Sequence, residues 1–265
     1  MTNYMAQFAS WRPWFRVDWT QFVFVHYSLP PEDLAPYTPL ELDCRDGRAF
    51  LSLVFFRFDR MRPARFVPAP IGRMLFRPAS DHWFLNVRTY VRGAGGRGIQ
   101  FLVEWMDNPI GLHLGPWLYG LPYRSGKFDC STEAENGRTH LRVTDSTTGE
   151  ALRVLIQRRT EEEAAVDPTS LDAFLLEKYT AYTHHRGISR LFKIFHPRWK
   201  ITRPTVLEID DTLVRHSCPW FEHAEMISAH ASVGFQNVAM GPPHRLPARA
   251  ATGDFHSIAQ PQYHT

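Results

Sequence analysis

The sequence is poor in the features that mark several large classes of protein. Its three cysteines, Cys44, Cys130 and Cys218, are odd in number and far apart, which argues against a disulfide framework and for a reducing compartment. The most apolar window, Phe50 to Phe56, is far too short to cross a membrane. Trp11 to Trp14 interrupts any signal-like apolar run at the N-terminus. We therefore expect a cytoplasmic protein with no membrane segment.

Motifs for nucleotide and nucleic-acid binding are also missing. The sequence has no GxGxxG after a strand, no P-loop and no GxSxG elbow. The net charge of +3 is slight, and arginine occurs in singles and pairs without a long basic block. These absences argue against a nucleic-acid partner and lower the expectation of nucleotide-dependent chemistry.

The chain is instead rich in apolar and aromatic residues. Hydrophobic residues make up 44% of its 265 residues, with 19 Phe, 8 Trp and 9 Tyr, as is typical of a folded globular protein. The length suits one large β-type domain or two small ones, and the order of elements favours one, residues 1–240. From Gly241 the chain is rich in Pro, Ala and Arg with little periodicity, so residues 241–265 are predicted to be a poorly ordered tail.

Turn-bounded alternating runs predict a mostly antiparallel β structure. Single strands are predicted at Phe22 to Tyr27, Ala49 to Phe58, Ile188 to Phe195, Val206 to Ile209 and Ile227 to Phe235, and a hairpin joins Arg138 to Thr144 with Ala151 to Arg158. Short helices are predicted at Glu32 to Tyr37, after Asn108, and from Ser170, where Leu171, Phe174, Leu175 and Tyr182 would share one face. Arg62 to Pro78 contains four prolines and predicts an irregular loop, which is a candidate lid.

The most informative segment is the strand Leu85 to Arg92, with the sequence LNVRTYVR. Period-2 alternation places Asn86, Arg88 and Tyr90 on one face and apolar residues on the other. A glycine-rich turn and a return strand, Ile99 to Met106, follow. An amide, a guanidinium and a phenol on one face favour the floor of a pocket for a polar or anionic ligand. The alternative is the solvated outer face of an antiparallel sheet.

Two further polar residues each allow a structural and a functional interpretation. Glu104, on the return strand, has the parity of Gln100 and Leu102 and is a candidate partner for Arg88. It forms either a surface ion pair of little energy or a buried acid with a shifted pKa. His26 follows an apolar run and is either a hydrogen-bonded core histidine or a pocket residue.

The 13 histidines do not form a usual metal-binding pattern. His216, Cys218, His223 and His230 come closest, but their spacing matches none of the common structural zinc sites. The sequence therefore predicts neither a metal site nor a cofactor.

Several short motifs follow one another between about residue 14 and residue 235. They are Trp19 with His26-Tyr27, LDCRDGRA from Leu42, LNVRTYV from Leu85, Gly120-Leu121-Pro122-Tyr123, SLDAFL from Ser170 leading to Lys178-Tyr179, and His196-Pro197-Arg198-Trp199. This set resembles the YqjF-like family of uncharacterised proteins, within the acetoacetate decarboxylase-like superfamily. The resemblance implies an α+β, mostly antiparallel β fold, a cone or barrel around an internal cavity with a few flanking helices.

The resemblance does not carry over the decarboxylase chemistry. In the decarboxylases a lysine follows the proline of the helix-end motif and forms a Schiff base, whereas this chain has Tyr123 there. Phe84 stands at a position where the decarboxylases carry a glutamate, and their upstream arginine is missing near Gly115. Lys127 lies close in sequence but is expected at the surface. Because a Schiff base needs an amine with a depressed pKa, acetoacetate decarboxylation is not expected.

Two functions remain open. The first is an enzyme acting on a small carbonyl or carboxylate compound without a Schiff-base lysine, in which Arg88 binds the anion and Tyr123, Tyr90 or His26 moves a proton. The second is a non-catalytic small-molecule binding protein, since a fold does not fix a function. The residues expected around the cavity are Asn86, Arg88, Tyr90, Tyr123, His26 and Glu104. The expected partner is a small molecule, and Arg88 favours an anionic one; the sequence does not indicate an oligomeric state.

Overall fold

Long strands rich in aromatic and aliphatic residues dominate the chain. The computed structural model describes residues 12–133, 135–159 and 161–247. Its strands are β1 (Phe15–Leu29), β2 (Glu41–Leu42), β3 (Ala49–Pro63), β4 (His82–Gly93), β5 (Gly96–Met106), β6 (Tyr123–Thr132), β7 (Arg138–Asp145), β8 (Ala151–Gln157), β9 (Ala164–Ala165), β10 (Thr180–His185), β11 (Ile188–Phe195), β12 (Lys200–Ile201), β13 (Thr205–Asp210), β14 (Glu225–Met240) and β15 (His244–Arg245). The strands predicted from the sequence are confirmed, and several are longer than predicted.

Short helices connect the strands. They are α1 (Pro31–Leu34), α2 (Ala69–Phe76), α3 (Pro109–Tyr119), α4 (Leu171–Leu176) and α5 (Thr212–Ser217), with 3-10 turns at Ala35–Tyr37, Arg77–Ala79 and Pro219–Phe221. Helix α3 begins as predicted, because the Asn108 side chain accepts a hydrogen bond from Gly111 N at 2.9 Å and Pro109 occupies a position that needs no N–H. It ends at Gly120, whose φ of +68° is the left-handed conformation of a common helix C-cap.

The strands form a mixed sheet that is mostly antiparallel. Hydrogen-bonded neighbours follow the order β13-β8-β7-β6-β5-β10-β11-β14-β1-β3-β4-β2, and β4 also pairs with β5. Because of this last pairing, seven strands form a closed circuit of hydrogen-bonded neighbours: β4, β5, β10, β11, β14, β1 and β3. Strand β5 pairs in parallel with β6 and β10. The predicted class, mostly antiparallel β with a few helices, is confirmed.

The central strands are buried on both faces. Val25, Leu53 and Val87 belong to one apolar cluster, which also contains residues of β7, β8 and α5. Phe24 and Tyr90 belong to a second cluster, which continues into β11 and β14. Because successive residues of a strand point to opposite faces, the two clusters share the same strands and do not mark two separate domains.

Part of the predicted loop from Arg62 to Pro78 is helical. Residues Ala69–Phe76 form α2, and Arg77–Ala79 form a 3-10 turn. The prediction of an irregular loop is wrong here because the prolines lie where a helix tolerates them. Pro70 lies within the first turn, where proline removes no helical hydrogen bond. The role of this segment as a lid stays a prediction.

Tyr182 lies on a strand and not on the helix predicted from Ser170. Helix α4 ends at Leu176, and β10 begins at Thr180. The Tyr182 hydroxyl donates to Gly96 O at 2.7 Å and accepts from Gly95 N at 2.9 Å. Tyr182 thus holds the turn of the β4–β5 hairpin by its hydroxyl group, a long-range contact that helical periodicity does not reveal.

The first residues of the predicted tail take part in the sheet. His244 and Arg245 form β15, which pairs with Leu191 and Arg190 of β11. Residues 248–265 of the predicted tail lie outside the described residues. The domain boundary at residue 240 therefore stays a prediction.

Candidate functional site

An inner cavity of about 60 Å³ lies within the second apolar cluster. Most of its wall is aromatic or aliphatic, and the polar residues that line it are Asn86, Arg88, Glu104, Tyr123, Lys178 and His196. The volume holds a few water molecules or the head of a small ligand. Four of the six predicted site residues therefore line one cavity. The other two, Tyr90 and His26, are buried but are not part of the cavity wall.

Three adjacent strands position the polar groups. Asn86 of β4 lies opposite Glu104 of β5, and Glu104 pairs in turn with Tyr123 of β6. Asn86 is 4% exposed and Glu104 is 3% exposed. The alternative of a solvated hairpin face is therefore wrong, and so is a surface ion pair for Glu104.

A β-bulge brings Glu104 to the inner cavity. Between Val87 and Arg88 the register of the β4–β5 ladder shifts, so that Arg88 lies opposite Phe101. The extra residue on β5 reverses the alternation of side chains at this point. Glu104 consequently lines the cavity together with Phe101 and Ile99. For this reason the prediction that Glu104 shares a strand face with Gln100 and Leu102 is wrong. Glu104 nevertheless lies on the same side of the sheet as the polar residues of β4.

Arg88 is buried without a full set of partners. Its guanidinium forms a hydrogen bond with the Tyr90 hydroxyl and lies 5.6 Å from the centre of the Phe24 ring. Its Nε and Nη2 have no hydrogen-bond partner. Within the described residues no carboxylate comes within 4.0 Å of it, so Glu104, the predicted partner, acts only through a longer-range attraction. Buried donors without partners are costly, and an anion in the cavity would satisfy them.

Burial favours the protonated forms of the two acids beside Arg88. Burial raises the pKa of Glu104 well above its usual value, and the charge of Arg88 offsets this only in part. Burial also raises the pKa of Tyr123, and the neighbouring Glu104 and Tyr119 raise it further. Both residues therefore present O–H donors to the same cavity.

A chain of buried hydrogen bonds runs from Tyr90 towards the surface. The Tyr90 hydroxyl lies 2.5 Å from Ser52 Oγ, which lies 2.6 Å from His26 Nδ1. His26 Nε2 lies 3.0 Å from His230 Nδ1. His230 Nε2 lies 3.2 Å from Asp172 Oδ1, without hydrogen-bond geometry. The Asp172 side chain is 15% exposed. His26 is thus a hydrogen-bonded core residue that is linked to the cavity through Tyr90.

The Arg88 end sets the polarity of this chain. Arg88 can only donate, so the Tyr90 hydroxyl accepts from it and donates to Ser52. Ser52 then donates to His26 Nδ1, and His26 Nε2 donates to His230 Nδ1. The assignment makes His26 and His230 neutral, in agreement with the lowered pKa of each, which burial causes in the first place. The chain holds Tyr90 in place and leaves two Arg88 nitrogens free to face the cavity.

Helix α3 packs directly on Tyr123. A Cβ atom at Gly115 would collide with the Tyr123 ring, so only glycine allows this approach. Tyr123 also lies against Phe84, with 5.6 Å between ring centres. The two residues at the expected lysine and glutamate positions of the decarboxylases are therefore packed together. Lys127 is exposed on β6, as predicted.

Two cavity residues were not predicted. The Lys178 side chain is 6% exposed, and its Nζ lies 3.9 Å from Asp43 Oδ2 and 4.3 Å from the centre of the Phe174 ring. Burial lowers the pKa of Lys178 to about 8 although Asp43 acts against it. Burial also lowers the pKa of His196 to about 4. Both residues follow the ends of regular elements, where periodicity does not indicate side-chain direction.

Neither a metal site nor a membrane-spanning helix is found among the described residues. In the part of the chain that the structure describes, no group of three or more His, Cys, Asp or Glu side chains is placed to hold a metal ion. The helices of the same residues all fall short of the length and apolar character that a membrane span requires.

Comparison with solved structures identifies the fold. The chain superposes on an acetoacetate decarboxylase-like enzyme from Sphingomonas wittichii RW1 with a TM-score of 0.61 and 14% identity, covering 89% of this chain and 93% of that one. It superposes on the enduracididine biosynthesis enzyme MppR, complexed with pyruvate, with a TM-score of 0.58 and 13% identity, covering 88% and 90% of the two chains. At this level of identity the likeness shows the acetoacetate decarboxylase-like fold alone.

Comparison with known sequences identifies the family. The chain is 27% identical over 199 residues to the uncharacterized protein YqjF of Bacillus subtilis (strain 168), covering 69% of this chain and 73% of that protein. Residues 16–234 match DUF2071, described as an uncharacterized conserved protein. This match covers most of the sequence and every residue that lines the inner cavity except Met240. The chain therefore belongs to the DUF2071 family.

Proposed function

We propose that this protein is an enzyme that binds a small oxo acid in the inner cavity, with the carboxylate of the ligand on Arg88. The observation that carries the proposal is the pair of unpartnered nitrogens on Arg88, a buried cation within a wall of aromatic residues. A carboxylate matches a guanidinium in charge and in the spacing of its two oxygens. The pyruvate bound to MppR, a protein of the same fold, supports a ligand of this class.

The proposed reaction is proton transfer next to the carbonyl group of the ligand. Glu104, whose pKa burial raises, donates its proton to the carbonyl oxygen. His196, which burial keeps neutral at pH 7, accepts a proton from the adjacent carbon. The products are the enol of the ligand, a Glu104 carboxylate and a His196 imidazolium, and the reverse step restores all three. Arg88 orients the ligand, and Tyr123 adds a second O–H donor near the carbonyl oxygen.

Pyruvate tests both binding and chemistry. In D2O, the protein is expected to accelerate the exchange of the pyruvate methyl protons, followed by NMR, and Glu104→Gln should slow this exchange because glutamine cannot transfer a proton. Glu133→Gln, at an exposed site, is the matched control. Saturable binding without exchange would favour a non-catalytic binding protein. Failure of pyruvate to bind at any accessible concentration would refute the proposal.

No imine is expected on the proposed route. Lys178 is an amine in the cavity wall, but its Nζ lies 3.9 Å from the Asp43 carboxylate and 4.3 Å from the centre of the Phe174 ring, contacts that favour its ammonium form, which is not a nucleophile. Incubation with acetoacetate and borohydride at pH 7 should therefore leave the intact mass of the protein unchanged. A single stoichiometric adduct that peptide mapping places on Lys178 or Lys127 would contradict this prediction.

A further inference from the structure

A second, larger cavity opens beside the first. This outer groove has a volume of about 590 Å³, within the range of sites for small ligands. Its apolar lining includes Phe174 and Val166. Four of its lining side chains are cationic, namely Arg45, Arg97, Lys178 and Arg198.

The cations of the outer groove outnumber the carboxylates that neutralise them. Arg92 and Arg97 both donate hydrogen bonds at 2.8 Å to the Asp43 carboxylate, and Lys178 lies 3.9 Å from it. One buried carboxylate thus serves three cations, while Arg45 pairs with Asp46 at 3.7 Å. Arg198 is exposed, and no carboxylate among the described residues forms an ion pair with it.

Glu177 also lines the groove and adds a negative charge, but the four lining cations still outnumber the carboxylates of Asp43, Asp46 and Glu177. One Glu177 oxygen accepts a hydrogen bond from Trp199 N at 2.9 Å, and the other accepts one from the Tyr179 hydroxyl. These contacts hold the Glu177 carboxylate at the base of the groove. The remaining field is positive and favours an anion.

Lys178 connects the outer groove to the inner cavity, because its side chain lines both. Lys178 therefore shares the inner cavity with the buried Arg88 and the outer groove with the exposed Arg198. A ligand with one anionic group would contact either Arg88 or the cations of the outer groove, but not both. The inner cavity of about 60 Å³ is also too small for most of an elongated molecule, whereas the groove is not.

We propose that the ligand is an elongated acid with an anionic group at each end, one on Arg88 and the other in the outer groove among Lys178, Arg97 and Arg198. This inference rests on the proposed function, since it assumes a carboxylate on Arg88. The apolar side chains of the groove, such as Phe174, would contact the chain between the two charges.

Calorimetric titration with straight-chain dicarboxylates from malonate to adipate, each paired with the monocarboxylate of the same length, tests the inference. We expect one dicarboxylate to bind about tenfold or more tightly than its monocarboxylate partner, a gain of the size that an added ion pair in a partly shielded site provides. The gain should shrink at high salt, because part of the groove is open to solvent.

Variants locate the second charge. Arg198→Gln, at an exposed position, should reduce the advantage of the dicarboxylate and leave monocarboxylate binding unchanged. Lys178→Met, which keeps most of the side-chain volume, should reduce the advantage further. Arg142→Gln, at an exposed position on β7, is the control and should change neither affinity.

The outcomes separate the two proposals. If monocarboxylates bind and no dicarboxylate binds more tightly, the second anionic subsite is refuted and the proposed function stands. The same holds if the advantage survives in both Lys178→Met and Arg198→Gln. If neither class of acid binds, the proposed function fails and this inference fails with it.

Discussion

Replacing Arg88 with methionine is expected to weaken pyruvate binding about 100-fold or more while raising the free energy of unfolding. The loss of binding follows from removal of the buried cation that pairs with the carboxylate, since such pairs are worth several kcal/mol. The gain in stability follows because a buried charge without a carboxylate partner is replaced by an apolar side chain of similar length. Calorimetry of pyruvate binding and urea unfolding measure the two effects.

The matched control for this prediction is Arg92→Ala. Arg92 belongs to the same strand but lies nearer the turn, where it pairs with Asp43 at a half-exposed position. We expect it to change pyruvate binding much less than Arg88→Met or Arg88→Ala. Equal losses of binding in Arg88→Met and Arg92→Ala would indicate a general loss of stability and would remove the case for a site at Arg88. A large decrease in stability of Arg88→Met would show that its guanidinium is better satisfied than the hydrogen bonds indicate.

Replacing His82 with phenylalanine is expected to make the protein much more resistant to acid. His82 is 5% exposed and packs between Phe58 and Phe84, with ring centres 5.4 Å and 4.8 Å away. Burial lowers its pKa from 6.5 to about 4. The folded state therefore binds fewer protons than the unfolded chain between these values, and the contribution of His82 to stability is lost as the pH falls from about 6.5 to about 4.

The expected size of this effect is about 3 kcal/mol at pH 4. It appears as the difference in free energy of unfolding between His82→Phe and the wild-type protein, which should widen by this amount from pH 7 to pH 4. The difference isolates His82 from Glu104, whose raised pKa acts in the opposite direction because the folded state then binds more protons than the unfolded chain and gains stability as the pH falls. A constant difference between His82→Phe and wild type across this range would contradict the assignment.

The sequence predicts the fold of this protein better than it predicts the site. Strand positions follow from local alternation and turn residues, as in the hairpin of β4 and β5, and the motif order led to the correct family. The four prolines of residues 62–78 do not reveal helix α2, because prolines generally disfavour a helix, whereas Pro70 lies in its first turn, where proline is tolerated. Tyr182 was placed on a helix because its spacing from Phe174 also fits a helical face.

The candidate site depends on two things that local patterns do not contain. The first is the β-bulge beside Arg88, since one additional residue decides whether Glu104 or its neighbour faces the cavity. The second is the convergence of distant segments. Lys178 and His196 reach the inner cavity from chain segments that follow α4 and β11, and their positions depend on how β10 and β11 dock beside β5 and β14. The roles of all these residues stay predictions until the variants above are measured.

The closed path of strand pairing also has a consequence for synthesis of the chain on the ribosome. Strand β1 needs β3 on one edge and β14 on the other, and β14 begins only at Glu225. Translation of the intervening segment takes on the order of ten seconds. Throughout that time the aromatic residues of β1 and its open edge are available to other nascent chains. We therefore expect the incomplete chain to aggregate more readily than the finished protein, until β14 emerges and covers the open edge of β1.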